Sequence, residues 1–192
     1  MKVDKRIQRT KTLIKSSFLK LLNDYPLEKI TISEITDNAM CNRNTFYLHY
    51  NDKYDLMETL CDEATSVLKQ ELSIAMKKYN NSEEFYKIIP KICMDVMQSN
   101  LPFYTAVLGK NRYPLFIEKY KEVLFDFSLS ILPYDLRKKK EKIIELEYAT
   151  NGVIGVHRFY LLHLDEYDGT EILKLSNNLS ITMGKLINGE FA

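Results

Sequence analysis

The side chains best suited to binding another molecule lie in one short run, Asn42-Arg43-Asn44-Thr45. Each of the four can form hydrogen bonds, and they are of the types that proteins use to contact phosphates and base edges. Asn42 is a good helix cap, so the run forms the N-terminal end of a short helix over about 43–49. Such an end indicates nucleic-acid binding, although a small polar helix in any α-helical protein could have the same composition.

The elements that position this run are predicted to be helices, because the helical pattern extends along the whole sequence. Apolar residues recur at helical spacing, alternating β-type runs are scarce, and the chain has only six Gly and five Pro. The chain is therefore predicted to be all-α. About nine helices are predicted, which cover a first segment up to Tyr25-Pro26, a short segment from Thr31, and then about 43–49, 53–79, 82–99, 102–109, 114–133, 135–164 and 170–188.

Two details of these helices follow from single residues. The inner face of the first helix is predicted to contain Ile7, Ile14, Phe18 and Leu21. Pro90 lies inside the 82–99 pattern, where it should kink or split the helix.

Charge is distributed unevenly along the 192 residues. Residues 1–50 contain nine Lys or Arg and five Asp or Glu, a net charge of +4, whereas the remainder contains 18 and 21, a net charge of −3. A basic N-terminal region before a slightly acidic body suggests that the N-terminal region meets a polyanion. The alternative is an ordinary solvated helix face.

The first three helices, with a tight turn between the second and third, describe a helix-turn-helix. The segment from Ile30 to Leu56 resembles the N-terminal signature of TetR-family regulators, and its wording is similar to the branch that includes regulators of dihydroxyacetone kinase genes. The family commonly has Gly where this chain has Met40, and often Ala where it has Thr36. Met40 would then occupy a left-handed turn position at a cost of about 1 kcal/mol. The matching residues are Thr31, Ile35, Thr45, Phe46, Tyr47, His49, Tyr50, Lys53 and Leu56.

The resemblance implies a helix-turn-helix domain over 1–52, which binds a palindromic operator in double-stranded DNA, and a helical regulatory and dimerisation domain over 53–192. It implies phosphate contacts from Thr31, Tyr47, His49 and Lys53, with Phe46 and Tyr50 in the core. The groove-facing residues, together with the capping Asn42, would be Arg43, Asn44, Thr45 and Leu48.

The resemblance also implies a homodimer held by the last two helices. Ala149, Gly152 and Gly155 recur at a spacing of three, so they permit close helix approach, either between subunits or within one subunit. The middle of the chain is rich in aromatics, which either fill the core or line a pocket for a small apolar or aromatic effector. The predicted pocket residues are Phe85, Tyr86, Phe103, Tyr104, Phe116, Tyr120, His157 and Tyr160.

Other function classes find no support in the sequence. We find no catalytic or nucleotide-binding motif, the three His are scattered, and Cys41, Cys61 and Cys93 lack zinc spacing. We therefore expect no enzyme activity, cofactor, metal, membrane span or secretory signal, and a cytoplasmic location. The predicted function is a DNA-binding repressor released by a small effector. The alternative is a TetR-fold activator or adaptor controlled by a partner protein.

Overall fold

The computed structural model describes residues 5–79, 82–111 and 113–189, and within them it contains helices and no strand. The predicted all-α fold is confirmed. A 3₁₀ turn, Leu27–Lys29, precedes the second helix, and a π-helical turn, Thr105–Lys110, follows the sixth. The helices are α1 (Lys5–Asp24), α2 (Ile32–Asn38), α3 (Arg43–Tyr47), α4 (Lys53–Lys78), α5 (Ser82–Ser99), α6 (Leu101–Tyr104), α7 (Pro114–Ile131), α8 (Lys140–Leu162) and α9 (Gly169–Asn188).

The chain divides into two compact units, Met1–Glu63 and Ala64–Ala192, and α4 contributes residues to both. The division expected from the sequence, after residue 52, stays a prediction about function, because compactness alone does not define a DNA-binding domain.

The N-terminal unit has a small closed core. Ile14, Phe18, Phe46 and Leu56 have no exposed surface, and the buried Ser17 hydroxyl donates a 2.7 Å hydrogen bond to the Ile35 carbonyl. The prediction for the first helix was partly wrong. Ile7 is exposed, because α1 begins at Lys5 and its first turns lie outside the core, and Leu22 replaces the half-buried Leu21 on the inner face.

The C-terminal unit departs from the predicted helices at two places. Pro90 does not split α5, which continues from Ser82 to Ser99. The eighth helix begins at Lys140 rather than Asp135, because residues 134–138 form turns. The Arg137 guanidinium holds this segment by donating to the Leu132 and Ser130 carbonyls, at 2.7 and 2.6 Å, which satisfies acceptors at the end of α7.

An aromatic cluster fills part of the C-terminal unit. Phe103, Tyr104, Phe116 and Tyr120 are at most 1% exposed, and neighbouring ring centroids lie 5.1–6.2 Å apart, mostly edge to face. Interlocked rings at these distances leave little space among themselves, so this region is solid core.

Candidate DNA-binding helix and candidate ligand cavity

Helix α2 begins with a capping box. The Thr31 backbone N–H donates to the Glu34 carboxylate at 2.8 Å, and the Glu34 N–H donates to the Thr31 hydroxyl oxygen at 3.3 Å. Hydrogen bonds from the Thr31 hydroxyl and from its backbone N–H lower the pKa of Glu34. Thr31 is exposed, but its hydroxyl already donates to the Glu34 carboxylate at 2.7 Å. A phosphate contact from this hydroxyl would therefore compete with the cap.

The turn between α2 and α3 has the hydrogen bonds of a Schellman motif. The Cys41 N–H donates to the Thr36 carbonyl at 3.0 Å, and the Met40 N–H donates to the Asp37 carbonyl at 3.2 Å. Met40 has a φ of 52°, which confirms the left-handed conformation expected there. Its side chain is 94% exposed, so no packing in the unit compensates for the strain.

Helix α3 is fixed to the unit by its cap and by aromatic packing. The Asn42 side-chain oxygen accepts from the Thr45 N–H at 2.8 Å, and the Arg43 guanidinium donates to the Ser33 hydroxyl at 2.6 Å. Phe46 and Tyr50 are buried with their ring centroids 5.6 Å apart, which confirms their predicted core position. The helix ends at Tyr47, two residues earlier than expected.

The outer surface of α3 combines polar and apolar groups. Arg43, Asn44, Tyr47 and Leu48 are exposed, and Leu48 is 79% exposed although it is apolar. Asn44 and Leu48 are four residues apart, so they lie on the same face of the helical turn. An amide can hydrogen-bond an adenine edge, and an apolar side chain can contact a thymine methyl. This surface therefore has the chemistry needed to read bases.

Lys53 is the first residue of α4, and its ammonium already donates two hydrogen bonds within the protein. It donates to the Glu28 carbonyl at 2.8 Å and to the Ile30 carbonyl at 2.7 Å, so it joins the start of α4 to the segment before α2. An ammonium has three donors, and within the described residues the third has no hydrogen bond, while the Tyr54 ring centroid lies 5.3 Å from the Lys53 nitrogen. His49 is half-buried with its ring against Tyr50, at 6.3 Å between centroids.

A partly open cavity of about 370 Å³ lies in the C-terminal unit, between α5, α7, α8 and α9. Of the eight predicted pocket residues, Tyr86 and His157 line it. The lining residues are Tyr86, Ile89 and Pro90 from α5, Leu124 and Ser128 from α7, Leu146, Tyr148, Ala149, Thr150, Gly152, Val153, Val156 and His157 from α8, and Ser176, Leu179, Ser180, Met183 and Ile187 from α9.

The other six predicted pocket residues lie outside the cavity lining. Four of them form the aromatic cluster, because their rings fill the space between α6 and α7 themselves. Phe85 packs edge to face on Phe127, and Tyr160 is buried with its hydroxyl close to Gly169. The serines that line the cavity were missed, since a single Ser in a helix gives no sign of which surface it faces.

His157 connects the cavity to the buried aromatic cluster. It is 2% exposed, its Nδ1 lies 3.1 Å from the Tyr120 hydroxyl, and Tyr120 in turn bonds the Cys93 side chain. Burial lowers the pKa of His157 to about 4, raises the pKa of Cys93 to about 12 and raises the pKa of Tyr120 well above its usual value. All three side chains are therefore neutral at neutral pH.

The described residues also bear on two other classes of site. They contain no group of three His, Cys, Asp or Glu side chains placed to hold a metal ion. In the same residues, no helix is both long enough and apolar enough to cross a bilayer.

The chain is similar to known transcription regulators, although no family model matches it. An uncharacterized HTH-type transcriptional regulator, YxbF of Bacillus subtilis, is 36% identical over 76 residues, which are 38% of this chain but only 20% of that protein. The match therefore spans about a fifth of the relative's length.

Solved structures extend the likeness to nearly the whole chain. A TetR-family regulator from Syntrophomonas wolfei superposes with a TM-score of 0.74 at 16% identity, over 92% of this chain and 95% of that one. The dihydroxyacetone kinase operon activator DhaS superposes with a TM-score of 0.60 at 15% identity, over 93% and 96%. The chain thus has the fold of TetR-family transcriptional regulators, which is the fold that the resemblance of its N-terminal segment implied.

Proposed function

We propose that the protein is a sequence-specific DNA-binding regulator of transcription that uses α3 as its recognition helix. The exposed surface of α3 supports this proposal most directly, because Arg43, Asn44, Tyr47 and Leu48 project from a helix whose inner side is locked by Phe46. A helix-turn-helix presents its second helix to the major groove in this manner. The basic charge of residues 1–50 supplies attraction to phosphates.

Selection from a random DNA library tests this function. We expect enrichment of a palindromic site, bound at least about 1,000-fold more tightly than scrambled DNA at physiological salt in a fluorescence anisotropy titration. Equal affinity for selected and scrambled DNA would show that the chain is not a sequence-specific regulator.

The dimer that a palindrome requires is proposed to form through α8 and α9. Exposed residues on α8 follow helical spacing along one stripe, and apolar Leu175, Leu179 and Leu186 form a similar stripe on α9. An added Cβ at Gly152 or Gly155 would meet nothing within 4 Å in the subunit, so a second copy can approach closely there. The α8 stripe comprises Ile144, Tyr148, Gly152, Gly155, Phe159 and Leu162.

Light scattering on paired variants tests the dimer. Ile144→Glu places a charge in the proposed interface and should give a monomer at micromolar concentration, because an unpaired charge at a buried interface is costly. Ile74→Glu, at an exposed apolar position of α4 outside the stripes, is the matched control and should leave the dimer intact. A wild-type chain that scatters as a 22.6 kDa monomer would contradict the proposal.

Within this function, the cavity favours a repressor that a small effector releases from DNA. Its volume, about 370 Å³, lies in the usual range for small-molecule sites. The alternative is an activator or adaptor controlled by a partner protein, and the fold likeness to DhaS, described as an operon activator, supports it. A reporter gene behind the selected site separates them, since deleting the regulator raises expression for a repressor and lowers it for an activator.

A further inference from the structure

We propose that the cavity binds an uncharged, mainly apolar molecule that has a hydroxyl, ester or ketone group, and that it rejects carboxylates and phosphates. The inference rests on the proposed function only in that the bound molecule would be the effector. It is drawn from the walls of the cavity, from two polar groups in those walls, and from the absence of a counter-charge.

The walls are largely hydrocarbon. Ile89, Leu124, Leu146, Val153 and Met183 come from four different helices, and the space opens to solvent where the exposed Tyr148 and Leu179 line it. At about 370 Å³ the cavity is more than twice the roughly 150 Å³ that holds benzene in an apolar protein cavity. A molecule with about ten carbon atoms is therefore of suitable size.

Two polar groups in the walls lack a protein partner. The Ser176 hydroxyl oxygen is buried and forms no hydrogen bond within the described residues. The His157 ring uses Nδ1 toward Tyr120, and within the same residues Nε2 has no hydrogen bond. A buried hydroxyl without a partner costs about 1–3 kcal/mol, so a ligand that bonds Ser176 recovers free energy that the empty cavity lacks, and His157 Nε2 offers a second position for a hydrogen bond.

The polar groups of the cavity are neutral. Burial lowers the pKa of His157 to about 4, and the tyrosine to which it bonds has a pKa raised well above its usual value, so neither is charged at pH 7. Among the described lining residues there is no Asp, Glu, Lys or Arg. Arg158 follows His157 in α8 but does not line the cavity.

An anion whose charged group lies beside Ser176 and His157 would consequently lose its hydration without gaining a cation. The effective penalty for burying an unpaired ion is several kcal/mol, whereas an alcohol or ester needs only one or two hydrogen bonds. We therefore expect the cavity to prefer 1-decanol to decanoate, which has the same chain length, by at least roughly 100-fold in dissociation constant.

Binding of three ten-carbon probes to the full chain tests the inference. We expect 1-decanol and methyl decanoate to raise the melting temperature at pH 7.4 and to bind in a calorimetric titration, and decanoate to do neither at the same concentrations. Comparable binding of decanoate would overturn the inference. Failure of all three probes would also overturn it, and would indicate a cavity that a second copy of the chain fills or closes.

Variants place the binding in the cavity. Ser180→Leu adds hydrocarbon to the lining and should abolish 1-decanol binding, whereas Ser66→Leu, at an exposed position of α4, is the matched control and should not. Ser176→Ala removes the unpartnered hydroxyl, so it should raise the melting temperature of the free protein and weaken 1-decanol binding about fivefold. Unchanged 1-decanol binding in Ser180→Leu would show that the probe binds elsewhere and would overturn the inference.

These measurements contain no DNA, so they separate the inference from the proposed function. A chain that selects a palindrome but binds none of the probes retains the regulatory function and loses the inference. A chain that binds 1-decanol in the cavity but selects no DNA site supports the inference and loses the regulatory function.

Discussion

The two units differ in where their candidate functional residues lie, which is outside the core in the N-terminal unit and within it in the C-terminal unit. In the N-terminal unit the core is closed by Phe18 and Phe46, and Asn44 and Leu48 lie outside it. In the C-terminal unit the interior is incompletely filled, and His157 lies inside it beside a cavity. A surface that contacts DNA needs a well-packed core to hold it rigid, whereas a site for a small molecule needs space that side chains leave unfilled.

The C-terminal unit repeats this contrast internally. Phe116 belongs to the solid aromatic cluster, while the space between α5, α7, α8 and α9 has no such filling. Packing therefore changes from complete to incomplete within one unit, and Tyr120 and His157 connect the two regions through their 3.1 Å contact. Four single substitutions and one change of pH can break or sharpen these comparisons.

The largest effect is expected from opening the solid region. Phe116 is fully buried, so Phe116→Ala should lower the free energy of unfolding by about 3–5 kcal/mol, through lost transfer energy and a new void. Urea denaturation measures this change. The exposed Tyr134 makes a cation–π contact with Lys138, and Tyr134→Ala, as control, should cost at most about 1 kcal/mol. A loss below about 1 kcal/mol for Phe116→Ala would show that the aromatic region is as loosely packed as the cavity.

Acidification should act through the buried imidazole. Because burial lowers the pKa of His157 to about 4, the unfolded chain takes up a proton below pH 6.5 while the folded chain does not. The contribution of His157 to stability is thus complete above pH 6.5 and is lost as the pH falls toward 4. Between pH 7 and pH 5 it should amount to about 2 kcal/mol of unfolding free energy.

Denaturation of variants at both pH values isolates this contribution. His157→Gln should lose about 2 kcal/mol less than the wild type on going from pH 7 to pH 5. His163→Gln, at a half-buried position outside the cavity lining, is the matched control. If both variants follow the wild type, His157 is not held neutral by the fold.

The sequence predicted the N-terminal unit better than the cavity, and the reason is distance along the chain. Asn42 and Thr45 form their cap within four residues, and the left-handed turn at Met40 was expected from the Gly that the resembled family commonly has at this position. Patterns of this length are visible in a sequence. The error at Ile7 arose because helical spacing continues past the point where the core ends.

Most of the cavity lining could not be predicted, because it depends on where neighbouring helices leave space between them. The lining comes from four helices between residues 86 and 187, and helical periodicity gives the faces of these helices without their spacing. Phe116 and Tyr86 look alike as aromatic residues in helices, yet one is solid core and the other lines a cavity. Only the packing of the helices distinguishes them.

At the outer surface of α3, truncation should change selectivity while stability stays constant. Asn44 is exposed, so Asn44→Ala should leave the unfolding free energy within about 0.5 kcal/mol. Its affinity for the selected DNA site should fall by about 1–3 kcal/mol, with little change on scrambled DNA. Fluorescence anisotropy on both DNAs measures the difference, and equal losses on the two would remove Asn44 from the base-reading surface.

Lys53→Ala provides the contrast to Asn44→Ala. If its remaining donor contacts a phosphate, binding to both DNAs should weaken, and the slope of log affinity against log salt should flatten by about one unit. Since Lys53 also bonds the Glu28 and Ile30 carbonyls, this variant should lose stability as well. An unchanged salt slope would show that Lys53 stabilises the fold but does not contact a phosphate.

The smallest effect concerns backbone strain in the turn before α3. Met40→Gly should relieve about 1–2 kcal/mol of left-handed backbone strain, because φ is 52° and the exposed side chain contributes no packing. Glycine also makes the unfolded chain freer, which offsets about 0.4–1 kcal/mol. The net result should be a gain of about 0.5–1 kcal/mol in urea denaturation. Met76→Gly, inside α4, should instead destabilise by about 1 kcal/mol, so opposite signs for one chemical change would show that backbone conformation decides the outcome.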